Sequence, residues 1–146
     1  MINLGLILLI KMADIFTKQE RSDIMRKVKS NRNKSTELKI INCFKENKIT
    51  GWRRNFKLFG KPDFVFPKQR VAIFLDGCFW HGHSCRNTKP KDNKDYWTNK
   101  IERNIQRGKL VTEKLTTQKW NVIRFWECEL KNDKIIIERL KECNCA

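Results

Sequence analysis

The sequence predicts an α/β domain in which a mixed central sheet is flanked by helices. Two amphipathic stretches open the chain, three short extended runs follow, and a long helix, one apolar strand and a closing helix complete the order ααβββαβα. The last strand, Trp120 to Trp126, is apolar enough to lie inside a sheet. With 146 residues, 40% of them hydrophobic, the chain can bury a real core, so its 33% of charged residues sits on a globular domain and does not signal disorder.

Each element has a local cause. Thr17-Lys18-Gln19-Glu20 has the spacing of a capping box, and the helix it opens carries Ile24, Met25 and Val28 on one side. After the polar, basic loop from Ser30 to Lys34, Ser35 caps a second helix whose Leu38, Ile41 and Phe44 form an apolar stripe, with a basic outer face. The runs Trp52 to Leu58, Asp63 to Phe66 and Val71 to Leu75 are separated by Gly60-Lys61-Pro62 and Pro67-Lys68-Gln69-Arg70, and read as neighbouring antiparallel strands. A Cys/His-rich loop then leads from Gly77 to about Asn93. The helix from Lys94 to Thr117 holds Trp97, Ile101, Ile105, Leu110 and Leu115, with Gly108 as an interruption, and Asp133 to Cys143 forms the closing helix.

Charge narrows the function. Lys and Arg number 32 against 16 Asp and Glu, a net charge of +16 that points to a polyanionic partner, nucleic acid first. The basic residues are spread along the chain and not gathered beside a hydrophobic anchor, which argues against membrane attachment. Met1 to Ile10 is apolar but too short to span a bilayer, and no small-residue cleavage site follows it. Residues 1–11 are therefore expected to be a non-native or disordered extension, with 12–146 a single domain in the cytoplasm. In that reducing compartment the six cysteines favour metal binding or free thiols over disulfides.

The chemistry gathers in one loop. The only two histidines lie in Cys78-Phe79-Trp80-His81-Gly82-His83-Ser84-Cys85, and Cys128 follows the last strand. Zinc takes four tetrahedral ligands from thiolate and imidazole, and Cys78, His83, Cys85 and Cys128 supply a closed set. His81 falls between the ligand positions, and spacing alone leaves it a ligand, a bystander or a general base. Asp63, in Gly60-Lys61-Pro62-Asp63-Phe64, stands at the start of an apolar strand, where a carboxylate can hold Mg²⁺ for phosphodiester cleavage or serve as an ordinary turn residue. Phe79 and Trp80 are two consecutive large aromatics in a loop, suited either to wedge between base steps or to fold back into the core.

Taken together, Gly60 to Phe64, Ile73 to Cys85 and Phe125-Trp126-Glu127-Cys128 resemble the very short patch repair (Vsr) mismatch endonucleases in residues, order and spacing. Met12-Ala13-Asp14, Arg21-Ser22 and Met25-Arg26 resemble that family's beginning, so the likeness runs from Met12 to about Cys143. The resemblance implies a PD-(D/E)xK restriction-endonuclease-like fold with a structural zinc site. It implies nicking 5′ to the thymine of a T·G mismatch left by deamination of 5-methylcytosine. By resemblance Asp63 is the Mg²⁺ ligand together with the backbone carbonyl of Leu75, His81 is the general base, and Cys78, His83, Cys85 and Cys128 hold Zn²⁺. Phe79 and Trp80, helped by Met25, are the intercalating wedge, and Glu37 matches an acid that supports the metal's waters. Asp76 stands at a secondary active-site position where family members carry histidine, Leu75 where they carry threonine, and Gly108 where an acid is familiar. The implied partner is double-stranded DNA carrying T·G, bound by a monomer associated with the nucleoid through DNA and functionally linked to other mismatch-repair proteins. The rival readings are a nuclease of the same superfamily with a restriction or recombination target, and a non-catalytic zinc-containing DNA-binding protein.

Overall fold

The computed structural model describes residues 17, 19–20, 22–23, 36–85 and 93–146. The chain divides into two units, Met1–Asn31 and Arg32–Ala146. In the first, the expected capping box is formed. The Glu20 N–H donates to Thr17 Oγ1 at 3.2 Å, and the Thr17 N–H donates to Glu20 Oε2 at 2.7 Å, which holds the Glu20 carboxyl below its ordinary range. Met25 and the extension 1–11 lie outside the described residues.

In the second unit the elements are α1 (Glu37–Glu46), β1 (Phe64–Phe66), β2 (Val71–Asp76), α2 (Lys94–Thr117), β3 (Asn121–Trp126), a 3-10 turn (Glu129–Lys131) and α3 (Asp133–Glu142). The sheet is mixed, in the order β1-β2-β3: β1 pairs antiparallel to β2, and β2 pairs parallel to β3. Because side chains alternate along a strand, Val71 and Ile73 of β2 and Ile123 and Phe125 of β3 face one way. There they join Ile40, Cys43 and Phe44 of α1 and Ile136 and Leu140 of α3 in the main core. Phe44 lies at its centre, edge-on to both Phe64 and Phe66. On the opposite face Ala72 and Phe74 pack with Val111 and Leu115 of α2. Each fully buried side chain of this size stabilises the fold by about 1.5–3 kcal/mol. The sheet is thus covered on both faces, and its strand ends are left to carry the site.

Some local expectations are corrected. The run 52–58 is not a strand: only Arg53 pairs, through a single antiparallel bridge to Val65, because Gly51 (φ 89°) and Asn55 (φ 53°) break the extension on either side. Ser35 lies outside the described residues, and α1 starts after Thr36, which makes no side-chain cap. The buried stripe of α1 is Ile40, Cys43 and Phe44, with Ile41 at its margin. On α2 the buried phase runs through Val111 and Leu115, leaving Leu110 59% exposed.

Gly108 does not interrupt α2, which is continuous over 24 residues. A Cβ added at Gly108 would meet the Arg124 guanidinium at 3.6 Å, ordinary van der Waals contact. Gly108→Ala is therefore expected to raise stability by about 0.5–1 kcal/mol, read as an increase in denaturation midpoint, through the entropy that glycine loses in a helix. A fall in the midpoint would mean that the contact with Arg124 is tighter than it looks.

Candidate nuclease site and metal centre

The parallel register of β2 and β3 builds the site. Asp76 pairs with Trp126 at the carboxyl ends of the two strands, and the Glu127 N–H extends the ladder to the Asp76 carbonyl at 2.9 Å. Cys78 and Cys128 each stand two residues beyond their strand end, so the sheet itself brings the two thiols side by side. The loop between them folds back through the His83 N–H, which donates to the Cys78 carbonyl at 2.9 Å. It is fastened to α2 by Asn104, whose side-chain amide donates to the Trp80 carbonyl at 2.9 Å. Gly82 sits at the closest approach: it has φ +66°, and an added Cβ would lie 2.9 Å from Cγ2 of Ile101, so a side chain fits neither the backbone nor the space.

The ligand atoms of Cys78, His83, Cys85 and Cys128 all lie within 4.8 Å of one another, with Cys128 Sγ 3.5 Å from His83 Nδ1. Zn–S bonds of about 2.3 Å and Zn–N bonds of about 2.0–2.1 Å in a tetrahedron place ligand atoms roughly 3.5–3.8 Å apart, so the set fits such an ion. The His83 ring is stacked on Trp126 at 4.3 Å and 9°, which fixes its plane. Partial desolvation first, and then the adjacent thiols of Cys78 and Cys128, push the Cys85 thiol up to about 11. Crowded thiols of this kind release their protons to a soft cation. Cys43, Cys143 and Cys145 take no part in the cluster.

A second group of polar residues gathers at the same end of the sheet. Asp63 immediately precedes β1, and its Oδ2 accepts the Leu75 N–H at 2.8 Å. Burial pushes its carboxyl up to about 6 against that bond, aided by the charges of Glu37 and Asp76. A half-buried carboxylate beside two others, one oxygen held by backbone, is a donor suited to a hard divalent cation. Glu37 is buried in the first turn of α1 and paired with Arg54.

Asp76 is 6% exposed and lies between two partners. Arg124 Nη1 donates to both of its oxygens, at 2.9 and 2.8 Å, and His81 Nε2 stands 3.6 Å from Oδ1. The imidazole of His81 is held below its ordinary pKa by burial, which outweighs the neighbouring Asp76 carboxylate. It is therefore neutral and able to accept a proton at physiological pH. A cleft of about 710 Å³ opens beside it, lined by Asp76, His81, Gly108, Thr112, Arg124 and Trp126 among others.

Phe79 and Trp80 enter neither core. They are half-buried, edge-on to each other at 5.1 Å, and both pack on Trp97 of α2, at 5.3 and 5.8 Å. Sequence reasoning placed Trp97 on its helix but missed this backing role. It also missed Arg124, although a lone arginine in the apolar strand Asn-Val-Ile-Arg-Phe-Trp is itself a signal of a buried ionic partner.

The family model described as DNA mismatch endonuclease Vsr matches residues 13–87. The chain belongs to the Vsr family. It is similar to the type II nicking enzyme V.NmeAIP of Neisseria meningitidis serogroup A, with 41% identity over 131 residues covering 88% of this chain and 92% of the relative. Likeness to V.NmeDIP of N. meningitidis serogroup C is 37% over 134 residues, covering 88% of each chain. The DNA mismatch endonuclease Vsr of Escherichia coli K12 is 33% identical over 141 residues, covering 92% of this chain and 90% of that one. The chain is thus a DNA endonuclease of restriction-endonuclease-like fold, consistent with its mixed sheet and flanking helices. No helix among its described residues is long and apolar enough to cross a membrane.

Proposed function

We propose that this Vsr-family endonuclease nicks one strand of double-stranded DNA 5′ to the thymine of a T·G mismatch, with Mg²⁺ at Asp63 and Zn²⁺ at Cys78, His83, Cys85 and Cys128. The observation that carries the reading is convergence: a half-buried acid, a neutral imidazole and a half-buried aromatic pair outside both cores meet at one end of the sheet, on a strongly basic protein. Residues 12–146 form the nuclease domain in this reading, and its basic surface grips the phosphate backbone without reading sequence.

When bound, Mg²⁺ supplies positive charge to the scissile phosphate and lowers the pKa of water. Asp63 would hold it, with the Leu75 carbonyl and with Glu37 ordering the surrounding water. His81 takes the proton from the attacking water, a role that suits an imidazole kept neutral by burial. Cys78, His83, Cys85 and Cys128 would hold Zn²⁺ away from the reacting phosphate, and the bound ion would tie the loop carrying His81, Phe79 and Trp80 to the end of β3. Phe79 and Trp80 insert beside the mismatch, where a wobble pair unstacks at lower cost than a matched one, and Trp97 supports them from behind.

The test is incubation of the purified protein with Mg²⁺ on end-labelled duplexes carrying T·G or T·A in varied contexts. Nicking at T·G, 5′ to the thymine, is the expected result, and equal cutting of matched duplexes would overturn the mismatch assignment. In the same assay Phe79→Ala/Trp80→Ala is expected to lose most of its preference for T·G, each stack contributing on the order of 1–3 kcal/mol. Its salt-dependent affinity for any duplex should remain. A folded double variant that keeps the parent's preference would remove the wedge role.

A further inference from the structure

Arg124 is a charged side chain on the α2-facing side of β3, where its neighbours are apolar: its guanidinium lies over the Phe74 ring, 4.5 Å from the centroid. Placing a cation there is unfavourable unless every donor is answered. All three of its nitrogens are engaged. Nε donates to Thr112 Oγ1 at 3.0 Å, Nη2 to the Gly108 carbonyl at 3.1 Å, and Nη1 to both oxygens of Asp76. The Thr112 hydroxyl is in turn fixed, donating to the Gly108 carbonyl at 3.0 Å. A Cβ at Gly108 would meet the guanidinium only at ordinary van der Waals distance, so the network does not depend on the glycine.

This network ends at the imidazole. Asp76 Oδ1, held by Arg124 on one side, faces His81 Nε2 on the other. A carboxylate free to rotate could not fix the ring, whereas one held through both oxygens presents a constant edge to Nε2. That edge favours a proton on Nε2 and leaves Nδ1 as the accepting nitrogen. Arg124 lines the cleft, yet with its nitrogens already committed inside the protein it is poorly placed to serve as a phosphate hook.

We propose that Arg124 is a positioning residue for strand cleavage, acting through Asp76 to orient the His81 imidazole. The proposal rests on the reading of His81 as the general base, and it separates the rate of cleavage from the affinity for DNA. Arg124→Met, of similar length and without charge, is expected to cut a T·G duplex in single turnover roughly 10- to 100-fold more slowly, the range for misplacing a catalytic base. The dissociation constant for the same duplex should stay within about twofold, as expected where phosphate contacts set affinity. Arg124→Lys keeps the charge but not the planar fork and should recover only part of the rate.

Met at position 124 leaves the Asp76 carboxylate buried without its partner, so the Asp76→Asn/Arg124→Met pair guards against failure to fold. Its rate should equal that of Asp76→Asn alone, since Arg124 has nothing left to act on. A parental rate in folded Arg124→Met would overturn the proposal. So would a loss that lies wholly in DNA affinity, as for a direct phosphate contact, or losses that multiply in the double variant. If the parent itself cuts no mismatched duplex, the reading of His81 falls first, and the two failures are told apart by that control.

Discussion

Asp63→Asn is expected to abolish nicking while the protein still folds and binds mismatched DNA. The carboxylate acts on the phosphate and its cation, not on the bases, so gel-shift preference for T·G should persist. Single-turnover cleavage should fall by on the order of 10³-fold or more, equivalent to about 4 kcal/mol of lost transition-state stabilisation. The same substitution should leave a signature in stability without added Mg²⁺. The folded-state pKa of Asp63 is raised to about 6, above its unfolded value, so the folded protein binds the proton more tightly. Stability is then full below the unfolded pKa and is lost as pH rises through about 6, where a partly desolvated charge must be carried. Asn carries none. The variant should therefore melt above the parent at pH 8 and level with it near pH 4, as read by thermal denaturation. Undiminished cleavage by Asp63→Asn would remove this residue from the metal site.

Cys128→Ala should have the largest effect on stability. The purified parent is expected to hold about one zinc per chain, and the variant none. Because the cluster ties the loop after β2 to the end of β3, its loss should cost more than about 4 kcal/mol, the range reached when a structural metal is removed. For a domain of this size that lowers the melting temperature by roughly 10 °C. Cys85→Ala should behave alike, although Cys85 is exposed, since each ligand closes the same ring of bonds. Cys143→Ala should keep the zinc, and elemental analysis of the three variants side by side makes the comparison. A metal-free parent with full activity would end the assignment.

Much of the local structure is legible in the residue pattern. The α2 helix spans Lys94 to Thr117 as predicted, and β3 and α3 begin and end within a residue of their expected bounds, because periodic segments and a short apolar run are local signals. The Cys/His cluster was legible because both histidines and two of the six cysteines share one short loop, which carries three of the four clustered residues, and Cys128 directly follows the last strand. Tertiary structure decided the rest. The run 52–58 carries strand-like residues, yet left-handed backbone at Gly51 and Asn55 limits it to one bridge, which no alternation pattern foretells. The parallel register that sets Asp76 beside Trp126, and so Cys78 beside Cys128, depends on a crossover through a 24-residue helix. For the same reason the partnership of Asp76 with Arg124, 48 residues apart, left no spacing to read. A charge in an apolar strand announces that it must be paired, because an unpaired ion is costly in the interior, but only the packing of α2 on the sheet determines with whom.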